Sequence, residues 1–66
     1  MQIFFQDKPV ETAAETLAAF LAEQKTNAEN CIFELNGSIL ELSADLAAVE
    51  LRSGDRLNAF RIVAGG

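Results

Sequence analysis

The sequence contains no histidine, no tryptophan, no tyrosine and a single cysteine among its 66 residues. Without histidine it lacks the side chain that most often moves protons near neutral pH, and a Ser-His-Asp triad is excluded. One cysteine cannot close a disulfide within the chain, and alone it supplies too few ligands for a zinc or iron–sulfur site. We therefore expect no metal centre and no bound cofactor.

Nucleotide-binding loops and basic residues are also scarce. Neither GxxxxGK[ST] nor GxGxxG occurs, and five Lys and Arg stand against ten Asp and Glu, for a net charge of −5. This charge repels phosphate backbones and anionic lipids, so nucleic acid and membranes are not expected partners. The start, MQIFFQDKPV, has no basic leader and no long apolar run, so we expect neither a signal peptide nor a membrane span. With a lone thiol, the sequence predicts a cytoplasmic protein.

Half of all residues are hydrophobic, which suits one small folded domain. The first third of the chain predicts a β-hairpin. Met1 to Phe5 form an apolar strand, and Gln6 to Pro9 predict a turn because Asp tolerates turn geometry and Pro cannot donate to a central ladder. Val10 to Thr12 then predict a short second strand.

After the hairpin, the spacing of the apolar residues changes from that of a strand to that of a helix. Leu17, Phe20 and Leu21 recur at helical spacing and share one face. Thr16 could cap this helix, but Thr12 with Glu15 also forms a capping box, so two starts remain open.

The second half predicts another hairpin and a last strand. Asn36-Gly37, within CIFELNGSIL, is the dipeptide that best accepts a type I′ turn. The segment SADLAAVE fits either a short helical turn or a loop, with Leu46 and Val49 pointing inward. A last strand is expected from Arg56 to Val63, with alternate residues on opposite faces: Leu57, Ala59, Arg61 and Val63 on one, and Asn58, Phe60, Ile62 and Ala64 on the other.

The predicted order of elements is β-β-α-β-β-β, with a helix between two hairpins. A mixed sheet that wraps one helix buries the apolar face of each, which suits so short a chain. We expect an α+β fold of the β-grasp, or ubiquitin-like, type: a mixed four- to five-stranded sheet on one main helix, whose first and last strands pair in parallel at the centre. The expected domain is 1–63, followed by an Ala-Gly-Gly tail at 64–66 that we expect to be flexible.

The group with unusual chemistry is the α-carboxylate of Gly66. Glycine has no Cβ, so a Gly65-Gly66 tail can enter a channel too narrow for any side chain. A carboxylate is a poor acyl donor, so a partner must activate it, most simply with ATP. Cys31 opens a predicted strand without a basic neighbour in the sequence, so a small core residue is expected there rather than a nucleophile. The alternative for Gly65-Gly66 is an ordinary frayed end.

Several motifs together resemble a known family. MQI at the start, the T-L-x-x-F-L helix at Thr16 to Leu21, LNGSI at 35–39, SGD at 53–55 and the final Gly-Gly fall in family order and near family spacing. Over its whole length the sequence resembles the ThiS-type sulfur carrier proteins of thiamine biosynthesis, within the wider ThiS/MoaD ubiquitin-like family. One departure is the segment LELSADLAAV, which lacks the Pro-Arg pair and aromatic residue that the family often carries after the Asn-Gly hairpin.

The resemblance implies a non-enzymatic carrier. Gly66 would be adenylated by an E1-like enzyme of ThiF type, which consumes ATP, and converted to a thiocarboxylate with sulfur from a desulfurase relay. The thiocarboxylate would then donate sulfur to a thiazole synthase of ThiG type. Gly65 and Ala64 would give access to the partner's active site, and Phe60 and Ile62 would dock partners, unless these two side chains belong to the core.

Two alternatives remain open. The chain could carry sulfur for molybdopterin or another acceptor, or it could be a non-covalent ubiquitin-like interaction module with an inert tail.

Overall fold

The structure, a computed structural model, describes residues 1–41 and 43–62. It contains five strands, one α-helix and one 3₁₀ helix. In chain order these are β1 Gln2–Phe5, β2 Lys8–Glu11, α1 Leu17–Glu23, β3 Cys31–Leu35, β4 Ser38–Ile39, a 3₁₀ helix Leu46–Ala48 and β5 Arg56–Arg61. The sequence left open whether SADLAAVE forms a short helical turn or a loop; the structure shows the helical turn, as this 3₁₀ helix.

The strands form one mixed sheet in the order β2-β1-β5-β3-β4. Strands β1 and β5 lie at the centre and run parallel, whereas every other neighbouring pair is antiparallel. The single helix packs on one face of this sheet. The predicted β-grasp architecture is therefore confirmed, with five strands.

The core lies between α1 and the face of the sheet turned toward it. Ile3, Leu17, Phe20 and Leu57 are fully buried. The rings of Phe5 and Phe20 meet edge to face, with centroids 5.3 Å apart. Each buried side chain of this size contributes about 1.5–3 kcal/mol, so these few residues supply much of the stability of a small domain. Leu46 and Val49 pack against the same cluster, as predicted.

Helix α1 begins at the later of the two predicted starts. Thr16 is its N-cap, and its hydroxyl accepts a hydrogen bond of 3.2 Å from the Ala19 amide. Thr12 has another role, because its buried hydroxyl donates to the Glu23 carboxylate and accepts from the Ala14 amide. The capping box at Thr12 is therefore wrong, and Thr12 instead ties the entry loop to the last turn of the helix.

The first hairpin turns earlier than the sequence predicts. Gln6 and Asp7 make the turn, with φ of 52° and 66°, and β2 starts at Lys8 and includes Pro9. The predicted turn over Gln6 to Pro9 is thus two residues too long, and the predicted second strand begins too late. Pro9 is tolerated because β2 lies at the edge of the sheet, where a missing amide hydrogen breaks no ladder.

Two expectations concern the ends and surroundings of the domain. Val63 and the predicted tail at 64–66 lie outside the described residues, so the division at residue 63 stays a prediction. Within the described part, no helix has the length and apolar character needed to cross a bilayer.

Candidate functional site

The predicted reacting residues follow directly on the last strand. Gly66, Gly65 and Ala64 lie outside the described residues, and the description ends at Ile62. What the structure gives is the base of this segment: the strand β5, its neighbours and the surface around Phe60 and Ile62.

Strand β5 is held along its whole length by β3. The antiparallel register runs from Leu35 opposite Leu57 to Cys31 opposite Arg61. Beyond the strand, the Ile62 amide donates to the Asn30 carbonyl over 2.6 Å. The chain is therefore fixed up to the last described residue before the predicted tail.

On its other side β5 is paired with the shorter strand β1. The parallel register covers Phe4 opposite Arg56 and Phe5 opposite Leu57, and the Gln6 amide donates to the Leu57 carbonyl over 3.0 Å. Beyond Leu57, the Gln6 side chain pairs with β5 in place of the backbone. Its Nε2 donates to the Ala59 carbonyl over 2.9 Å, and its Oε1 accepts from the Ala59 amide over 3.2 Å. The sequence analysis missed Gln6, because a bond between residues 53 positions apart leaves no local pattern.

Phe60 and Ile62 do not belong to the core. Alternation along β5 turns Leu57 and Ala59 toward α1, whereas Phe60 and Ile62 lie on the opposite side and are 50% and 41% exposed. The core role that the sequence left open for these two side chains is therefore wrong, and their docking role stays a prediction. We call this side the outer face; it comprises Gln2, Phe4, Pro9, Glu11, Ile32, Glu34, Ile39, Arg56, Asn58, Phe60 and Ile62.

The outer face is apolar next to the base of the tail. Ile32 lies directly opposite Phe60 in the register. Farther from the tail, Ile39 is 60% exposed on the edge strand β4. Exposed aromatic and aliphatic side chains that adjoin each other mark binding surfaces more often than isolated ones do.

The polar groups of the outer face are largely paired. Asn58 donates to the Glu34 carboxylate over 3.0 Å, and the Arg56 guanidinium lies over the Phe4 ring, 4.9 Å from its centroid. Both polar contacts lie nearer the start of β5 than Phe60 and Ile62 do. The exposed side chains of Phe60 and Ile62 therefore lie away from these polar contacts, next to the predicted tail in the sequence.

Two of the motifs noted in the sequence meet in space. Asn36, from LNGSI, donates through Nδ2 to Asp55 Oδ1 over 3.0 Å, and its Oδ1 accepts from the Arg56 amide over 2.8 Å. Asp55, from SGD, accepts from the Arg52 amide over 2.8 Å. The two turns are therefore bound together where β5 begins, which gives both motifs a structural role.

Cys31 is placed as a packing residue. It is half-buried against the core, and its Sγ donates to the Asn27 carbonyl at 3.6 Å. Over residues 1–41 and 43–62, no group of three or more Cys, Asp or Glu side chains is arranged to hold a metal ion. The described part of the chain thus offers an exposed apolar surface, formed by Phe60 and Ile62, just before the predicted tail in the sequence.

Comparisons with known proteins agree with this arrangement. A family model described as the ThiS family matches residues 2–66. Among solved structures, the chain is similar to a thiamine biosynthesis protein (ThiS) from Geobacter metallireducens, with 30% identity, full coverage of both chains and a TM-score of 0.81. No curated protein matches. The family match over nearly the whole sequence shows that the chain belongs to the ThiS family of sulfur carrier proteins of thiamine biosynthesis.

Proposed function

We propose that this chain carries sulfur on its C-terminal glycine as a thiocarboxylate and donates it for thiazole formation. The observation that carries the proposal is the family match, which extends through residue 66 and so includes the Gly65-Gly66 pair. The described part of the fold supports it, because β5 directs the chain toward this pair beside an apolar surface.

The first step is activation of the Gly66 carboxylate. A carboxylate oxygen attacks the α-phosphorus of ATP, pyrophosphate leaves, and the product is an acyl-adenylate. A relay persulfide then attacks the carbonyl carbon, a C–S bond forms and AMP leaves. A thiol of the relay cleaves the S–S bond of the resulting acyl disulfide, becomes oxidised to a disulfide itself and releases the thiocarboxylate. The E1-like enzyme of ThiF type binds the ATP and performs the adenylation, and a cysteine desulfurase relay supplies the sulfur. The chain itself is the substrate of these steps, and it needs no cofactor of its own.

The second step is delivery to the acceptor. The four residues 63–66 reach at most roughly 14 Å beyond Ile62, at about 3.3–3.6 Å each. A Gly-Gly end without Cβ atoms can pass through a narrow opening into a partner's active site. A thiazole synthase of ThiG type would receive the thiocarboxylate in this way, in the cytoplasm.

Docking on the outer face would position this tail. Phe60 and Ile62 are exposed on the strand that leads directly into it, so a partner that covers them also faces the tail. Apolar side chains at the centre of an interface supply most of its binding energy. The same surface would serve the activating enzyme and the acceptor in turn, which a carrier requires.

The experiment is sulfur loading followed by intact-mass spectrometry. The purified chain is incubated with ATP, the cognate E1-like enzyme and a sulfur source, and the C-terminal fragment is examined for one sulfur in place of one oxygen. We expect the substitution on Gly66, and a variant with Gly66 deleted should remain unmodified although folded. Absence of any adenylated or sulfur-bearing form of the unaltered chain would contradict the proposal and favour an interaction module with an inert tail.

Growth assays separate the acceptor pathways. In a host from which the resident carrier of each pathway has been deleted, the chain should restore growth without thiamine. Restoration of molybdopterin-dependent growth alone would assign the same chemistry to the other acceptor.

A further inference from the structure

The Gln6 side chain extends the sheet beyond the end of β1. Backbone pairing between β1 and β5 stops where the Gln6 amide meets the Leu57 carbonyl. The next partner that β5 needs on that side is supplied by the side-chain amide, which binds both the amide and the carbonyl of Ala59. A primary amide carries an acceptor oxygen and two N–H donors, one of which lies on the same side as the oxygen, so it can bind the N–H and the C=O of one strand residue at once.

The geometry of the turn explains why a side chain is used here. Gln6 adopts φ of 52°, so its backbone leaves the sheet and turns into β2. The main chain therefore cannot continue alongside β5. The Gln6 side-chain amide, with its two hydrogen bonds to Ala59, stands where the next backbone group of β1 would otherwise lie. Gln6 is exposed, and its amide exchanges bonds to water for bonds to both backbone groups of Ala59.

The contact lies at the end of β5 that leads to the predicted tail. Odd-numbered residues of β5 direct their backbone groups toward β1, and even-numbered residues direct theirs toward β3. On the β3 side, Ile62 is anchored to Asn30; on the β1 side, Gln6 is the last partner within the described residues. Removal of its amide would leave the segment Ala59 to Ile62 tied along one side only.

We propose that Gln6 is a positioning residue: by holding Ala59 it sets the direction of the segment Ala59 to Ile62, which precedes the predicted tail in the sequence. This rests on the proposed carrier function, since the direction matters only if a partner must receive Gly66. Gln6 contacts neither Phe60 nor Ile62 by a hydrogen bond; it acts through Ala59, their neighbour on the same strand. Misplacement of a reacting group by about 1 Å can cost a hundredfold in rate, so a small change in this direction has a measurable effect.

The test is a steady-state assay of adenylation with Gln6→Ala, Gln6→Glu and the unaltered chain. Gln6→Glu keeps the size of the side chain but replaces the donor by a carboxylate oxygen that faces the Ala59 carbonyl. We expect kcat to fall at least about tenfold in both variants while KM for the carrier stays within twofold, because the docking side chains are unchanged. The matched control is Gln24→Ala, an exposed glutamine at the end of α1, which should behave like the unaltered chain.

A role in stability alone gives a different result. Loss of folded carrier would raise the apparent KM in inverse proportion to the folded fraction and leave kcat unchanged, because the molecules that remain folded react normally. Amide exchange measured by NMR gives a second readout: the Ala59 amide should exchange at least about tenfold faster in Gln6→Ala, with Leu57 unaffected.

The kinetic and exchange measurements together distinguish a positioning role of Gln6 from a role in stability alone. Lower kcat with faster Ala59 exchange supports the positioning role. Unchanged kcat, or a rise in KM alone, overturns it even if exchange is faster. If the unaltered chain is not adenylated, the proposed function fails first; Gln6 then has no tail to position for a partner, and this inference falls with it.

Discussion

The side-chain amide of Asn36 and the carboxylate of Asp55 are joined by a hydrogen bond of 3.0 Å that links the tip of the β3–β4 hairpin to the turn before β5. Asn36 can make this contact because its backbone adopts φ of 51°, which the Asn-Gly turn requires and Asn tolerates. The same side chain also accepts from the Arg56 amide. One asparagine thus binds the chain where β5 begins, and one glutamine binds it farther along, at Ala59.

This pair predicts a measurable coupling. Asn36→Gly keeps the backbone conformation and removes both side-chain bonds, so we expect the free energy of unfolding in urea to fall by about 1–2 kcal/mol. Asp55→Ala should cost a similar amount. In the double variant, the loss of unfolding free energy should be smaller than the sum of the two single losses by at least about 0.5 kcal/mol. Either single substitution already removes the Asn36–Asp55 bond, so the double variant loses it only once. Strict additivity would mean that the contact contributes nothing.

A second prediction concerns the end of helix α1. The Thr26 amide donates to the Leu21 carbonyl and the Lys25 amide to the Ala22 carbonyl, which is a Schellman motif with Lys25 at the left-handed position, φ 54°. Glycine adopts this conformation without the clash of a Cβ atom, so Lys25→Gly should stabilise the fold by about 1 kcal/mol and raise Tm by about 4–8 °C.

Lys25→Ala is the control for this change. It removes the same charge but keeps the Cβ atom, so Tm should not rise as it does for glycine. Equal stabilisation by alanine would attribute the effect to charge rather than to backbone conformation.

A third prediction tests the outer face. Ile62→Ala and Phe60→Ala should leave the far-UV circular dichroism spectrum unchanged and lower the free energy of unfolding by less than about 1.5 kcal/mol, since both side chains are about half exposed. Their affinity for the activating enzyme should fall by about 1–2 kcal/mol, roughly five- to thirtyfold in Kd.

Ile39→Ala is the matched comparison for Ile62→Ala. It removes the same atoms from the same face, but on the edge strand β4, two strands away from the base of the tail. We expect a clearly smaller loss of affinity, measured by the same titration. A larger loss at Ile39 than at Ile62 would place the docking surface at the hairpin and contradict the assignment.

A fourth prediction separates the carrier from a thiol enzyme. Cys31→Ser should load sulfur at the normal rate, because in the proposed mechanism the reacting carbon belongs to Gly66, although the half-buried hydroxyl should lower stability by about 1 kcal/mol. Deletion of Gly66 should have the opposite pattern, with a normal thermal transition and no loading. If Cys31→Ser abolished loading while the Gly66 deletion did not, the carrier mechanism would be wrong.

The elements that the sequence predicts well are those whose signal is local. Helical spacing of Leu17, Phe20 and Leu21 defines the buried face of α1, and Asn36-Gly37 defines the second hairpin. The parallel pairing of β1 and β5 follows because both are apolar and must share the centre of a small sheet. Pro9 shows where local rules fall short, since a proline that argues against a central strand is compatible with an edge strand.

The candidate site was harder to predict because both faces of β5 carry apolar residues. Alternation shows that Phe60 and Leu57 point in opposite directions, but only the position of α1 decides which of them is buried. Gln6 and Asp55 act through bonds to residues distant in the sequence, and such contacts exist only once the sheet has formed. The two glycines at the end carry little information by themselves; their meaning came from resemblance to a family.

Pro9 has a consequence for how such a protein behaves when it is abundant. A protein with an apolar outer face and two free sheet edges could stack edge to edge into filaments. Along one edge Pro9 offers no amide hydrogen, and the other edge is the two-residue strand β4. Neither edge is a good template for a second copy, so edge-to-edge assembly should not cover the exposed side chains of the outer face.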